Sequence, residues 1–378
     1  MNAESCTNLV VQSIQECPPA SPSASDSLTV KEAELREWDL FLARTGGGSY
    51  PQTSSWAMAK LMAGFRTRRF TINNGDVILG GAQMLYRRLP LGGTIAYVPL
   101  GPVLASDDSE IVNLAIAHLH RIARQEKVSF LAVQPPRGGN AFARRLQNLG
   151  FSPALLDLAP TASALIDLSN SLDVILSRMR KTTRYDIRAS QRKGITIRDG
   201  RPEDLDVFYK LLLATARRQA FSTLEKDYLH EVWQQFSRGG HIKMFIAELE
   251  GTVVSAALMM TFGDTVTYWK GAWSGKHGNR YPNEALQWAV IQWAKSQGYR
   301  YYDFGGINRA FAKNTLAGDT SKPRHSVGFY KLGFGGQIEL FPEAFIYFYN
   351  PTLRRLWSAI SRREREQALL RTMLDRIR

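Results

Sequence analysis

Cysteine is almost missing from this chain. Cys6 and Cys17 are its whole complement, and both stand in an N-terminal stretch of Ser, Pro, Asn and Gln that offers little apolar surface. Disulfide scaffolding is therefore excluded for the folded part, and a reducing compartment is the expected setting. Long apolar runs are missing as well: no segment approaches the roughly 18 uninterrupted apolar residues of a membrane span. The N-terminus carries Glu4 where a secretory signal carries Lys or Arg, so a cytoplasmic protein is expected. Histidine is sparse, and its one close pair, His118 and His120, stands two apart on an expected helix and so points to different faces. No metal site is expected from that spacing. With no Gly-X-Ser-X-Gly elbow and no cysteine in the folded region, a covalent acyl-enzyme has no obvious nucleophile, which leaves direct attack on a bound donor. Acids are also scarce. Against 48 Lys+Arg there are 34 Asp+Glu, for a net charge of +14 and a pI near 9.8, a surface that attracts nucleic acid, a phosphorylated substrate or an acidic membrane.

What is present is the balance of a folded protein, with 44% hydrophobic and 22% charged residues over a 378-residue length that accommodates two ordinary domains. Residues 1–28 read as a disordered tail, because PPASPSASDS has almost nothing to bury. A short helix is expected around Val30 to Ala43, followed by alternating strand-like runs and amphipathic helices of a mixed α/β fold. An internal echo organises the rest. VILGGAQMLYRR and TIAYVPLGPV, the helix IVNLAIAHLHRIARQEK, the strand VSFLAVQPP and then RRLQNLGF occur in the first half. MFIAELEGTVVSAALMMTF and DTVTYWKGAW, the helix NEALQWAVIQWAKSQG, the strand YRYYDFGGI and then GFYKLGF repeat that order in the second. A duplicated domain accounts for the repetition, including the closing Leu149–Phe151 and Leu332–Phe334. The expected layout is residues 29–162 for the first domain and 163–339 for the second. Residues 340–378 are expected to pack back on the first and to carry a basic helix over 351–378, with Leu353, Leu356, Trp357 and Ile360 as its apolar seam.

Four stretches could carry chemistry. Arg180, Arg184, Arg188 and Arg192 recur at every fourth position, so a helix gathers them, with Lys181 and Lys193, into one basic stripe suited to phosphate. A solvated helix face is the bland alternative. Arg354, Arg355, Arg362, Arg363 and Arg365 surround the C-terminal seam and extend the electrostatic footprint. YYDFGGI puts Asp303 and a glycine pair at the end of a buried strand; the acid suits a general base, an orienting acceptor or a plain strand cap. GFYKLGFGG surrounds Lys331 with Phe329, Tyr330 and Phe334, an arrangement expected to present a partly buried cation from an ordered loop.

The series YPQTSSWAMAK, AYVPLGPV, MRKTTRYDIRASQRKG, LLATARRQAF, TYWKGAW, YYDFGGI and GFYKLGFGG, from about Ser49 to about Phe348, resembles the Fem family of aminoacyl-tRNA-dependent peptidoglycan aminoacyltransferases. The resemblance implies two tandem GNAT-like domains. Because no long helical hairpin interrupts the second repeat, it also implies the compact FemX-type form without a coiled-coil arm. It implies transfer of an amino acid from an aminoacyl-tRNA ester to an amine of a UDP-linked or lipid-linked muramyl peptide, in interpeptide-bridge formation. Aminoacyl-tRNA is then the co-substrate, no separate cofactor is needed, and contact with the inner membrane surface is transient. By the same resemblance Lys60 and Arg217 look like the pair that holds the precursor's phosphates, with Trp56, Thr215 and Phe221 in the matching motifs. Lys331, with Tyr330 before it, looks like the residue that meets the tRNA end and stabilises charge at the ester, and Asp303 is a candidate to take the amine's proton.

Two departures point toward a different acceptor. YWKGAW stands where members commonly show YxYGAS, so Lys270 replaces a substrate-contacting Tyr, and Ala105 follows GPVL where an acid is often seen. Three other readings share the sequence. An acyl-CoA-dependent N-acyltransferase wants a Gln/Arg-X-X-Gly-X-Gly/Ala pyrophosphate loop between strand and helix, and neither Arg44–Ser49 nor SGKHGNRYPN supplies one. A Fem-like tRNA-dependent amide ligase of secondary metabolism and a non-catalytic RNA- or membrane-surface-binding protein are the others.

Overall fold

In a computed structural model, residues 28–89, 92–154, 157–319 and 326–360 are described. The expected tail up to Ser27 and the expected helix beyond Ile360 lie outside them. The fold is mixed α/β, built on two sheets.

In the first sheet the strand order is Thr29–Glu32, Arg66–Asn74, Val77–Arg88, Thr94–Val98, Val128–Val133, Phe345–Phe348, Ser152–Pro153. In the second it is Ile195–Asp199, Ile242–Leu249, Thr252–Phe262, Thr265–Trp273, Tyr301–Asp303, Ala162–Asp167, Gln337–Leu340. Apart from Val103–Leu104, an eighth strand that pairs Val77–Arg88 in the first sheet, the two orders are the same, strand for strand, with one exchange. Ala162–Asp167 follows the first repeat in sequence yet pairs with Tyr301–Asp303 and Gln337–Leu340 in the second sheet. Phe345–Phe348 follows the second repeat and pairs with Val128–Val133 and Ser152–Pro153 in the first. Each sheet is thus completed by a strand from the other repeat.

The repeat is longer than the sequence echo. MFIAELEGTVVSAALMMTF is two strands joined at Glu250 and Gly251, both with positive φ, and its counterpart in the first half begins at Arg66. One expectation is corrected: Val30 lies in a strand that pairs Thr29↔Asn73 to Glu32↔Phe70, and the helix starts only at Leu35. Edge pairing with a neighbouring strand outweighs the weak helical pattern of those residues.

In each sheet the parallel pair is bridged by a helix. In the first, Ser109–Gln125 is capped by Asp108, whose carboxylate accepts from the Glu110 and Ile111 amides, and it buries Ile111, Val112, Ala115, Ile116, Leu119, Ile122 and Ala123 at helical spacing. Pro282–Ser296 is its counterpart. The second sheet is covered on both faces. One core contains Ile187, Val266, Val290, Phe304 and Phe334, and the other Ala59, Phe208, Val232, Leu258 and Ala272. Trp38, Leu42 and Val103 meet Phe262 in a small cluster that joins the sheets.

Candidate active site

The parallel pair Thr265–Trp273 and Tyr301–Asp303 stays in register only from Thr265↔Tyr301 to Thr267↔Asp303. Beyond Asp303 the chain turns away at Gly305, whose φ is +69 and where a Cβ would sit 2.1 Å from the Tyr268 carbonyl oxygen; glycine is required there. The strands part, and the candidate site occupies the mouth of that wedge.

Lys331 projects into it from a short helix, Val327–Leu332, rather than from the expected loop. Ser326 caps this helix by accepting from the Phe329 amide at 3.1 Å. Its two glycines mark close approaches: a Cβ at Gly328 would lie 2.6 Å from the Phe311 ring, and one at Gly333 2.8 Å from Thr183 Oγ1. Lys331 is 8% exposed. Its Nζ donates to the Gly306 carbonyl oxygen at 2.7 Å and lies 5.6 Å from the Tyr268 ring centroid. Burial lowers its pKa to about 8; Asp303 opposes the shift and Lys270 adds to it.

Asp303 holds the turn together. Its carboxylate accepts from the Ser163 hydroxyl and from the Gly305 amide at 2.7 Å, while the Gly306 amide donates to Ser163 Oγ at 3.2 Å. Burial raises the pKa of Asp303. Ser163 comes from the exchanged strand Ala162–Asp167, so the first repeat supplies a member of the second sheet's site. Behind Lys331, the Tyr330 hydroxyl is buried with no hydrogen-bond partner, and burial, reinforced by Glu284, pushes its pKa well up. Tyr302 donates to the buried Gln287.

Glu284 stands in the first turn of Pro282–Ser296. Burial, aided by the charge of Asp186, lifts its pKa to about 7. Its carboxylate bonds its own backbone amide, so the helix N-terminus that would receive a pyrophosphate carries an acid of this chain instead. Reading the sequence missed Ser163 and Glu284, which are ordinary members of a strand run and a helix run.

A bulge divides the strand that borders the wedge. Leu258 pairs Lys270 but Met259 pairs Tyr268, so Trp269 is the extra residue. Tyr268 thereby packs with the core that holds Tyr330, whereas Lys270 shares the face of its partner Leu258 with the helix Ser54–Met62. That helix carries Lys60. It starts at Thr53, which accepts from the Trp56 amide at 3.2 Å. The turn ahead of it is fastened by the buried Gln52 and Gln83: Gln52 donates to the Pro99 carbonyl at 2.7 Å and Gln83 to the Thr53 carbonyl at 3.0 Å. Lys60 is buried, with its Nζ 5.0 Å from the Trp56 ring centroid, 5.1 Å from that of Tyr228 and 5.9 Å from that of Phe65. The Trp56 Nε1 and Tyr228 hydroxyl beside it are buried without partners.

The other expected residues fall elsewhere. Thr215 is buried with its hydroxyl engaged in both directions by Trp273, donating to its carbonyl at 3.0 Å and accepting from its amide at 2.8 Å. Arg217 is exposed in the last turn of Leu205–Gln219, and Phe221 is exposed just beyond it. The arginine stripe is broken, which corrects the expected single face. Arg180 precedes the helix Lys181–Arg192 as its cap residue, stacks 3.6 Å from the Phe329 ring centroid and donates to the Phe329 carbonyl at 3.1 Å. Arg184 turns back to the Ser177 carbonyl at 3.0 Å. Lys181, Arg188 and Arg192 remain exposed. The first two arginines therefore fasten neighbouring helices, Arg180 the one that bears Lys331.

A sequence model of the FemAB family matches residues 33–252 and 247–362. The chain belongs to the FemAB family. A lipid II:glycine glycyltransferase of Staphylococcus aureus is 22% identical over 350 residues, covering 72% of this chain and 83% of that protein. The Staphylococcus epidermidis protein of the same description is 21% identical over 345 residues, with the same coverage. Among solved structures, FemX superposes with a TM-score of 0.76 at 20% identity, covering 87% of this chain and 99% of that one. A tandem GNAT protein from the clavulanic acid pathway gives 0.51 at 13% identity, over 86% and 99%. The fold of this FemAB chain is thus the tandem GNAT arrangement, and its class is that of an aminoacyltransferase.

Proposed function

We propose that this chain moves an aminoacyl group from the ester of an aminoacyl-tRNA to an amine of a peptidoglycan precursor, by direct attack of the amine on the ester carbonyl. The observation that carries the reading is the buried ammonium of Lys331, bonded to a backbone carbonyl where two parallel strands part. As the new C–N bond forms, the ester carbonyl oxygen becomes an oxyanion. A fixed cation in a partly dry site stabilises it more than water does. Collapse breaks the ester C–O bond. The amine loses one proton and the leaving ribose oxygen gains one, so the reaction balances without a cofactor. Asp303, occupied by Ser163 and Gly305, orients the turn that receives Lys331. Glu284, held near neutrality behind Tyr330, is the carboxyl suited to carry the proton between amine and ribose.

The two anionic co-substrates approach from two sides. Lys60, with its unpartnered Trp56 and Tyr228 atoms, meets the phosphates of the muramyl precursor. The tRNA is received by the exposed Lys181, Arg188 and Arg192. Lys270, on the sheet face of Lys60 yet close enough to depress the pKa of Lys331, is the residue we assign to contact with the acceptor. Aminoacyl-tRNA is cytoplasmic, and so is the enzyme's work. The test is purified protein with a pool of labelled aminoacyl-tRNAs and a UDP-linked muramyl pentapeptide, beside a reaction given labelled acetyl-CoA. RNase-sensitive labelling of the pentapeptide is the expected result; labelling from acetyl-CoA alone overturns the reading.

A further inference from the structure

The helix that carries Lys60 is held by both repeats. Its body packs in a core of the second sheet, where Ala59 lies with Phe208, Phe236 and Leu258. Tyr50 and Trp56 each meet the Phe236 ring edge-on, with 6.3 Å between centroids. Its leading end is tied to the first repeat instead, by a set of buried hydrogen bonds.

Gln52 and Gln83 are wholly buried and bond each other. Gln52 Oε1 accepts from the Gln83 backbone amide at 2.7 Å, and Gln52 Nε2 donates to the Gln83 carbonyl at 3.2 Å and to the Pro99 carbonyl at 2.7 Å. Gln83 Nε2 donates in return to the carbonyls of Thr53 at 3.0 Å and Pro51 at 3.3 Å. Gln83 Oε1 accepts from Arg69, its cross-strand partner, whose Nε lies 3.0 Å away. Outside this pair, Trp38 Nε1 donates to the Gln52 carbonyl at 2.7 Å, and the Asp39 carboxylate accepts from the Ser54 amide at 2.9 Å and from the Ser54 hydroxyl.

Both side-chain amides are thus engaged at oxygen and nitrogen. Burying an amide is costly unless it is bonded in this way, and apolar side chains would fill the same space without that demand. What the bonds add is direction. A guanidinium only donates, so Arg69 holds the Gln83 oxygen on its own side and leaves Nε2 facing the turn that starts the helix. The turn is thereby fixed relative to the first sheet, while Lys60 and Lys331 stand on opposite faces of the second. A precursor anchored at Lys60 must bring its amine to Lys331, and a misplacement of about 1 Å can cost about 10²-fold in rate.

We propose that the Gln52–Gln83 clasp is a positioning device, which acts through Lys60 to hold the phosphate anchor in register with the reaction centre at Lys331. The proposal rests on the acceptor reading above and deepens it. Gln52 and Gln83 touch neither substrate; they decide where an anchored precursor places its amine.

Gln83→Glu tests this in the full chain. It keeps the shape of the side chain and an acceptor for Arg69, but exchanges the donor to Thr53 and Pro51 for an oxygen. Gln83→Met, which removes the same donor without adding charge, is the second variant. With a UDP-linked muramyl pentapeptide, kcat is expected to fall about 10- to 100-fold while KM stays within about twofold. Transfer to the free pentapeptide, which has no phosphates for Lys60, is expected to be unchanged. Adding Lys60→Met to Gln83→Glu should return kcat to that of Lys60→Met alone, because a misaligned anchor then no longer holds the precursor. Equal losses with both acceptors, KM raised with kcat kept, independent effects in the double variant, or unfolding of both single variants would make the clasp purely structural and overturn the proposal. Should the unaltered chain label no acceptor, the aminoacyl-transfer reading fails, and hydrogen exchange still decides the clasp: faster exchange confined to Ser54–Met62 in Gln83→Glu is expected, and unchanged exchange there overturns it.

Discussion

Replacing Lys331 by Met separates what the residue does for the reaction from what it costs the fold. In the native state burial brings its pKa from 10.5 to about 8. At roughly 1.4 kcal/mol per unit, keeping the ammonium charged costs about 3 kcal/mol below pH 8. Because the native pKa lies below the unfolded one, the native state binds fewer protons between about 8 and 10.5, so stability rises with pH across that window. Methionine matches the length of the chain and carries no charge, at the loss of the bond to the Gly306 carbonyl, about 1 kcal/mol. Lys331→Met is therefore expected to be up to about 2 kcal/mol more stable at pH 7. Its turnover should fall about 10²- to 10³-fold, the usual effect of removing one oxyanion donor. The assay is single-turnover aminoacyl transfer from pH 6 to 9.5, with denaturant unfolding over the same range. Unaltered protein should lose rate as Lys331 deprotonates above about pH 8, and the residual rate of the variant should lack that limb. Turnover lost in proportion to stability would mean a structural lysine, and turnover retained would remove it from the reaction; either refutes the reasoning.

Glu284→Gln removes the carboxyl held near pH 7 and is expected to flatten the rise in rate between about pH 6 and 8 while slowing transfer about 10²-fold, read from the same profile. Ser163→Ala leaves the Gly306 amide without its partner and Asp303 with one donor fewer; kcat should drop about tenfold with KM for both substrates unchanged, and Ser163→Thr should restore part of it. Lys60→Met is expected to raise KM for the muramyl acceptor about tenfold with little change in kcat, since its pocket lies on the opposite sheet face from Lys331. Gly328→Ala pushes a methyl group against the Phe311 ring and should cost about 1–3 kcal/mol by thermal unfolding.

The duplication was legible because strand, helix and Leu-Gly-Phe recur in order, and local pattern is what sequence displays. The layout expected from the sequence counts residues 163 onward with the second domain and sends 340–378 back to the first, but the pairing of Ala162–Asp167 and Phe345–Phe348 as strands inside those sheets was not legible. Both are short apolar runs, and nothing within either run says which sheet will take it up. The burial of Lys331 was legible through its aromatic and glycine neighbours, although the segment is helical. The arginine stripe misled because spacing fixes the face on which a side chain starts, whereas its end goes to distant partners: Arg180 is claimed by Phe329 and Arg184 by the preceding helix. Ser163 and Glu284 were silent for the same reason, as each acquires its meaning from Asp303 or Tyr330 across the fold.

The exchanged strands also govern how this chain is made. While it emerges from a ribosome, the first sheet holds a gap between Val128–Val133 and Ser152–Pro153 that Phe345–Phe348 alone fills. Some two hundred residues must be synthesised before that edge is closed, and until then its unpaired backbone is open to other chains. Neither half can be released as a finished product. A stop codon placed between the repeats leaves the first sheet split and the strand bearing Ser163 without the sheet that takes it up, so a truncated message yields an aggregation-prone fragment rather than half an enzyme.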